Sequence, residues 1–395
     1  MRRRGTVLIV VLVLVALAGA TLARLLEENA LELTLAAREA DRGRLRAEAW
    51  GELELAVAVL AEIRNVDRGR IHAAEQGWAD PRAHLGKPPR DGLKVTYVWE
   101  VENGKLPLPD LAEADLALLF RALGRPAEEA DALADALMGW TRPGHEPEDD
   151  RADDATYDQA VLPYRAPRRS LRSFEELRAV GVAREAFFDA EGRPTRLMED
   201  FRRVVSLHRF PATCANYAEP EALQVLGFSA EGIAKARAYR ADGAGRARDA
   251  APYFRSREEA LATLGGGNGQ RLTSLVQLLR LTVVVQEGRS SCSASVLLAL
   301  DPASRFPEAA ADPTEEAQSA KPDTAAAKPG STAKAVLNYP FPVLEWSETG
   351  TAQALSQGPS PRRIQVTSGD PLPPYPSLET PLAYLDDTTP KVGPR

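Results

Sequence analysis

The chain opens with an apolar segment that continues into a long amphipathic one. Eighteen residues, Thr6 to Ala23, carry no charge and follow three arginines and a glycine. At 1.5 Å per residue, a helix of this length spans about 27 Å, enough to cross the hydrocarbon core of a bilayer. Residues 23–64 then place Leu and Ala at helical spacing among many charges, with no proline. The pattern predicts one helix over residues 6–64, with residues 6–23 transmembrane.

Three interpretations of this segment stay open. The arginines favour a cytoplasmic N-terminus, so the rest of the chain would be exported. A Sec signal peptide would be cut near Ala20, and a plain anchor would not be cut at all. Gly5 allows a third interpretation, because the opening resembles type IV prepilins and type II secretion pseudopilins. That resemblance implies a leader of residues 1–5, cleavage after Gly5 by a prepilin peptidase, and methylation of the new N-terminal Thr6.

An expected acid is missing from the apolar segment. Most pilins and major pseudopilins carry a glutamate at the fifth mature position, which is Val10 here if Thr6 is the first residue. Such a carboxylate offsets the buried N-terminal amine of a neighbouring subunit, since an unpaired buried charge is costly. A subunit with nothing above it would not need to supply one. The K subunit of type II secretion is known for this departure.

The middle of the chain alternates between strand and helix patterns. Residues 95–101 alternate apolar and polar positions as a strand, and Asn103-Gly104 is a turn signal. Two helical patterns follow, separated at residues 124–126, and two more strand patterns lie at residues 283–286 and 293–299. The patterns predict an α+β fold: a long N-terminal helix packed on an antiparallel sheet, with a large inserted helical domain.

Composition and charge narrow the classes of function. The chain has 395 residues, enough for two or three domains, and its net charge of −7 argues against a polyanion as partner. Only four histidines and two cysteines occur, and their spacing matches no zinc signature. The run GGGNG lacks the ending of a phosphate-binding loop, and RSSCSAS lacks the frame of a nucleophile elbow. We therefore expect a protein that is not an enzyme.

A set of short motifs over residues 95–300 resembles the K family of minor pseudopilins. The strand and turn VTYVWEVENGK is similar to the family's strand and turn, and a tryptophan, an acid-rich loop and a P-Y-R motif follow as in the family. SFEELRAVGV is similar to a later family segment. ATCANYAEPEALQVLGF is similar to the segment that opens a SAM-like helical subdomain, although such helix pairs also occur in DNA-binding modules. The matching residues are Glu102, Asn103, Gly104, Lys105, Trp140, Asp153, Asp154, Tyr157, Pro163, Tyr164, Arg165 and Asn216.

The acid-rich loop suggests calcium, because hard cations take several oxygen ligands. Members of the K family bind calcium in this part of the fold, which implies Asp150, Asp153 and Asp154 as ligands. The loop departs from the family directly after the tryptophan, where residues 141–144 hold no acid. A solvated acidic loop without a metal is the alternative.

The chain has two cysteines, Cys214 and Cys292. An oxidising compartment would allow Cys214 and Cys292 to form a disulfide.

Residues 301–395 hold many prolines with Ala, Ser and Thr, a composition that predicts a disordered tail. Within that tail VLNYPFPVLEW is more apolar, and we expect it to dock somewhere on the protein.

Together these observations predict a minor pseudopilin in the bacterial inner membrane, with one transmembrane helix and its bulk in the periplasm. Its partners would be the I- and J-type minor pseudopilins at the pseudopilus tip of a type II secretion system. The expected domains are the leader (1–5), the helix (6–64), a pilin-like domain (65–110 and 270–300), the inserted helical domain (111–269) and the tail (301–395). The alternatives are an exported or anchored periplasmic binding domain and a minor subunit of a type IV pilus.

Overall fold

The fold is an α+β arrangement of one long helix, an antiparallel sheet and an inserted domain. The computed structural model describes residues 4–148, 152, 154–159, 162–241, 251–288, 290–301, 340–349 and 363–368. The helices are α1 Arg4–Val66, α2 Pro81–Leu85, α3 Glu113–Ala122, α4 Ala127–Thr141, α5 Asp154–Tyr157, α6 Gly181–Phe187, α7 Arg196–Val204, α8 Pro220–Val225, α9 Ala230–Ala241 and α10 Arg257–Leu264. The strands are β1 Leu93–Val101, β2 Leu106–Pro107, β3 Val205–Ser206, β4 Thr213–Cys214, β5 Leu272–Thr273, β6 Leu278–Glu287, β7 Ser290–Ala299, β8 Val343–Thr349 and β9 Arg363–Thr367.

The main sheet has five strands in the order β8-β7-β6-β1-β9, and each neighbouring pair is antiparallel. The alternation predicted for residues 95–101 is confirmed by β1, where Tyr97 lies opposite Val283 and Trp99 opposite Leu281. The two strands predicted before and after Glu287-Gly288 pair as the hairpin β6–β7, which is longer than its apolar pattern indicated.

The C-terminal part of α1 packs on this sheet, chiefly on β6 and β7. Its buried side chains recur every three or four residues, so they lie on one face of the helix. They meet the inward side chains of the sheet, where Trp78 and Trp99 contact edge to face at 5.1 Å. The buried α1 residues are Leu45, Ala49, Leu53, Ala56, Val57, Val59, Leu60 and Ile63.

One carboxylate lies inside this interface. Glu52 of α1 is almost fully buried and accepts hydrogen bonds from Arg82 Nε at 3.0 Å and from Tyr97 Oη at 2.6 Å. Burial raises the pKa of Tyr97, and the neighbouring Glu52 carboxylate raises it further. A buried charge needs such partners, because leaving it unpaired would cost several kcal/mol. The network fixes how α1, α2 and β1 meet.

The inserted domain enters after β1 and returns at β6, and it has an apolar core of its own. It is mainly helical, with two strands of two residues each in addition. Two short parallel pairs, β2 with β3 and β4 with β5, connect distant parts of the chain within or beside it. Each pair is only two residues long, so no alternating pattern marks it in the sequence.

Two buried amide side chains join the inserted domain to the sheet. Asn103 donates to the carbonyls of Ala212 and Leu275 and accepts from the N–H groups of Gln277 and Leu278. Such side chains satisfy main-chain groups that are buried outside regular ladders.

The second buried amide is Asn216, which is fully buried. It donates to the carbonyls of His72, Phe254 and Ser274 and accepts from the N–H of Phe254. The segments it connects come from the sheet side and from the inserted domain, so it joins the two at a second point.

The prediction of a disordered tail over residues 301–395 was wrong for two segments. Residues 343–349 form β8 on the edge of β7, and residues 363–367 form β9 on the edge of β1. The docking expected for the apolar stretch is confirmed, since Phe341 is 1% exposed within the α1–sheet core. Outside these two strands, the structure describes only Asp301, residues 340–342 and Ser368 of the tail.

The long N-terminal helix is confirmed, with bounds that differ slightly from the prediction. It runs without interruption for 63 residues, from Arg4 rather than Thr6 and to Val66 rather than Arg64. In the part of the chain that the structure describes, no helix combines the length and apolar character needed to cross a membrane. The predicted transmembrane segment includes residues 6–10, whose side chains lie outside the described ones.

Two leucines of α1 give a matched test of this packing. Leu53 is 0% exposed and Leu33 is 72% exposed. We expect Leu53→Ala to lower the free energy of unfolding by about 3 kcal/mol, because it leaves a cavity in the core. Leu33→Ala, on the same helix, should change it by less than about 0.5 kcal/mol. Denaturant unfolding of the purified full-length protein measures both, and equal losses would contradict the packing described.

Candidate functional site

The N-terminal half of α1 projects from the folded domains with its apolar side chains uncovered. From Val11 to Leu35 every described large apolar side chain is at least half exposed. Leu26, Ala30, Leu33, Ala37 and Ala40 recur at alternating spacings of four and three residues. That spacing places them on one stripe of the helix, the pattern by which helices pack along one another. We call these five residues the α1 stripe.

The α1 stripe faces away from the domain to which α1 belongs. At about 100° per residue, Leu35 and the buried Leu53 point roughly opposite to the stripe. An exposed apolar surface of this extent indicates a site of association with another protein or with a membrane. The geometry suits a helical partner lying alongside α1.

The predicted processing residues lie at the N-terminal end of the same helix. The backbone of Gly5, Thr6 and Val10 belongs to α1, and their side chains lie outside the described residues. The structure therefore leaves the cleavage after Gly5 and the role of Val10 as predictions from the sequence.

The motif residues that follow β1 form a buried joint rather than a reactive site. Glu102, Asn103 and Gly104 form one turn of 3-10 helix, and all three are buried. Lys105 Nζ lies 3.0 Å from Glu102 and 3.1 Å from Glu100, so its charge is paired. The sequence pattern at Asn103-Gly104 predicts a turn, but it does not indicate that the side-chain amide of Asn103 bridges two domains.

The structure brings together the aromatic residues of the second motif. Tyr157 stacks on Tyr164 at 5.0 Å, and Trp140 meets Tyr157 edge to face at 5.6 Å. Burial raises the pKa of Tyr157 to about 12, so the phenol stays neutral at ordinary pH. These contacts pin the loop after α4 against the end of that helix.

Asp135 on α4 anchors the beginning of the same loop. Its Oδ1 lies 2.6 Å from Nε2 of His145, and its Oδ2 accepts the N–H of Glu148 at 2.7 Å. Gly139 permits the approach of Pro147, because a Cβ at this position would overlap with Cγ of Pro147. The sequence reasoning missed Asp135, which carries no motif signal of its own.

Asp154 is the one predicted calcium ligand whose position is described, and its carboxylate is already engaged. Oδ1 accepts the N–H of Ala166 at 2.9 Å, and Oδ2 lies 3.1 Å from Arg168. The Ala166 N–H and the Arg168 guanidinium both lower the pKa of this carboxyl. A cation bound here would have to displace or face Arg168, so Asp154 as placed does not fit a calcium site.

The other predicted ligands are outside the described part of the chain. Asp150 and Asp153 are among the residues without description. Within the described residues, no group of three or more His, Cys, Asp or Glu side chains is placed to hold a metal ion.

The two cysteines are free thiols, so the disulfide considered from the sequence is not formed in this structure. Cys214 lies fully buried on β4, and burial raises the pKa of its thiol to about 12. Cys292 lies on β7 opposite Val285 and is half-buried. Each cysteine belongs to a different strand pair, which the spacing in the sequence could not show.

The bracing of the acidic loop gives a testable prediction. Asp154→Asn should lower the free energy of unfolding by about 1 kcal/mol near neutral pH, since it removes a charge-assisted hydrogen-bond acceptor. The carboxyl pKa is lowered on folding, so this contribution is fully present above the unfolded pKa and is lost as the pH falls through the lower folded pKa. Unfolding curves for both proteins at pH 7 and pH 3 measure the difference.

Asp158→Asn serves as the matched control for this prediction. Asp158 makes an exposed ion pair with Arg165 at 3.3 Å. Exposed pairs contribute little, so we expect a smaller loss of stability than at Asp154. Equal effects of the two substitutions would contradict the bracing role of Asp154.

Comparisons with known proteins were made against families, curated sequences and solved structures. No curated protein matches the chain. One chain in the solved structure of the GspK-GspI-GspJ complex from the enterotoxigenic Escherichia coli Type 2 Secretion System is similar to this protein. The match covers 67% of this chain and 93% of that chain. The identity is 16% and the TM-score is 0.46.

A family model matches the segment that carries the motifs. Residues 102–190, less than half of the chain, match the model described as Type II secretion system (T2SS), protein K. The match includes the buried joint after β1, the aromatic cluster and the acidic loop. The resemblance to protein K of type II secretion, expected from the sequence motifs, is confirmed over this segment.

Proposed function

We propose that this chain is a minor pseudopilin of the protein K type, which caps the tip of a type II secretion pseudopilus. It would be inserted in the inner membrane by α1, with the sheet and the inserted domain in the periplasm. The protein would assemble with I- and J-type minor pseudopilins and would not act as an enzyme. The family match over residues 102–190 supports this assignment.

One observation carries the proposal, namely the division of α1 into a covered and an uncovered half. From Leu45 onward the helix is buried on its own sheet, and before that point its apolar side chains are exposed. A helix of 63 residues could not remain uncovered in this way in a free soluble domain without exposing a large apolar surface. Packing of the α1 stripe against helices of other subunits would cover it.

The position at the tip rests on two further features. Val10 stands where most subunits carry a glutamate, so this subunit could not neutralise the N-terminal amine of a subunit above it. The inserted domain has its own core and enlarges the part of the chain that extends beyond the sheet. A subunit of that bulk is hard to repeat along a thin filament.

The mature N-terminus tests the processing step. We expect mass spectrometry of the protein from its native membranes to find Thr6 as the first residue, carrying a methyl group. Gly5→Leu should leave the chain uncut, because the prepilin-type cleavage follows that glycine. A start near Thr21, or an uncut wild-type chain, would contradict the pseudopilin assignment and favour an exported or anchored binding domain.

The α1 stripe tests the assembly step. Leu33→Arg places a charge at the centre of the stripe, and we expect it to weaken co-purification with I- and J-type subunits at least about tenfold, since an unpaired buried charge is costly. Leu35→Arg is the matched control, because Leu35 is similarly exposed and faces about 180° away from the stripe.

Both variants should keep the unfolding stability of the wild type, since neither side chain is buried. Equal co-purification of the Leu33→Arg variant and the wild type would contradict a role of the stripe. Loss of I- and J-type subunits from both variants would show that the helix associates without a preferred face.

Calcium binding remains a separate proposal that rests on the sequence. Asp150 and Asp153 would supply the oxygen ligands, because Asp154 is occupied by Arg168 and Ala166. Repeating the Asp154→Asn comparison with calcium added would distinguish the two roles. If the stability gained from calcium is the same in both proteins, Asp154 is not a ligand.

A further inference from the structure

Strand β8 is held on the main sheet by main-chain pairing with β7 and by side chains of β6 and α1. It pairs with β7 along its length, from Ser293 opposite Thr349 to Leu298 opposite Val343. The ladder is extended by the Ala299 N–H, which donates to the carbonyl of Pro342 at 2.9 Å. Residues 340–349, which we call the strap, thus occupy the edge that β7 would otherwise leave open.

Both charged residues of the strap meet arginines of the body. Glu345 lies 2.7 Å from Arg280 of β6, and Glu348 accepts from Arg46 of α1 at 2.8 Å. Glu348 also accepts the indole N–H of Trp50 at 2.6 Å. The strap has no other charged residue, so its charge is complementary to the body at every charged position.

An aromatic anchor fixes the start of the strap. Phe341 is 1% exposed in the core, with the guanidinium of Arg64 5.2 Å from its ring centroid. Pro340 and Pro342 on either side restrict the backbone to extended conformations, which lowers the entropy lost on docking. At the other end Trp346 contacts Trp50 with ring centroids 6.2 Å apart.

The remaining contacts of the strap are sparse. Trp346 is 63% exposed and Val343 40% exposed, so the strap buries little side-chain surface besides Phe341 and the partly buried Leu344. The strap is therefore held mainly by main-chain hydrogen bonds, one aromatic anchor and two charge pairs. These are the means by which sheet edges bind extended peptides. Residues 302–339 connect it to β7, so it is held at high local concentration without a short covalent constraint.

We propose that the β7 edge, with Arg46, Arg64, Arg280 and Trp50, is a binding site for an extended acidic peptide with an aromatic anchor. The strap occupies this site in cis. Its occupancy also fixes the turn of α1 around Arg46 and Trp50, where the helix leaves the covered half. The site is independent of the proposed role in secretion.

A labelled synthetic peptide of residues 340–349 tests the site on the full-length protein. Wild-type protein should exclude the peptide, because its own strap fills the edge. Phe341→Asp should free the edge, and the peptide should then bind it with a fluorescence-anisotropy change that a scrambled peptide does not produce. Equal binding to both proteins, or binding to neither, would overturn the proposal.

Hydrogen exchange on the full chain provides a second readout that needs no peptide. The double variant Glu345→Arg with Glu348→Arg should speed amide exchange in residues 293–298 and 44–50 at least about tenfold. Glu316→Arg is the matched control, since it changes an acid of the same tail outside the strap. Unchanged exchange in the double variant would overturn the role of the charge pairs.

Charge reversal separates a specific pair from a general effect of charge. Arg46→Glu combined with Glu348→Arg should restore slow exchange near residues 44–50, because it recreates the pair with opposite polarity. Failure of this rescue, with both single variants folded, would overturn the assignment of Arg46 as part of the site. None of these measurements depends on secretion or on partner subunits.

Discussion

The structure depends on how much of α1 its own domain covers. The helix has apolar positions along its whole length, yet the sheet reaches only from about Leu45 to Ile63. Burial of that part supplies the core of the domain, while the exposed part keeps a free-energy cost that only association can remove. The C-terminal half of α1 therefore stabilises the fold, and the N-terminal half exposes an apolar surface suited to association. This division of α1 supports the proposed role in a pseudopilus.

The inserted domain and the domain formed by α1 and the sheet are joined by buried polar groups. Each core has its own set of buried side chains, and Asn103 and Asn216 satisfy main-chain groups where the two meet. Because these groups would otherwise be buried without partners, the amides fix one relative arrangement. The strap adds a second constraint at the β7 edge of the sheet, where it contacts α1 through Arg46 and Trp50.

Sequence patterns located the long helix, β1, the β6–β7 hairpin and the insertion between them. They failed at the tail, where composition indicated disorder although two short strands dock on the sheet. They also failed at β2 to β5, since pairs of two residues leave no periodicity to detect. At the acidic loop, the residue types suggested metal ligands, whereas the structure pairs Asp154 with Arg168. The amino-acid composition of a segment indicates its average properties. It does not indicate which residues from distant parts of the chain pack against that segment.

The sequence by itself determined the local character of each segment: an uncharged start, a helical repeat of apolar residues, and motifs shared with protein K of type II secretion. Those properties depend on neighbours in the chain, so they can be read without a fold. Only the tertiary structure decided which half of α1 is covered, that Asn103 bridges two domains, and that Glu345 and Glu348 meet Arg280 and Arg46. These are contacts between residues far apart in sequence, and they arise when packing brings distant segments to one place.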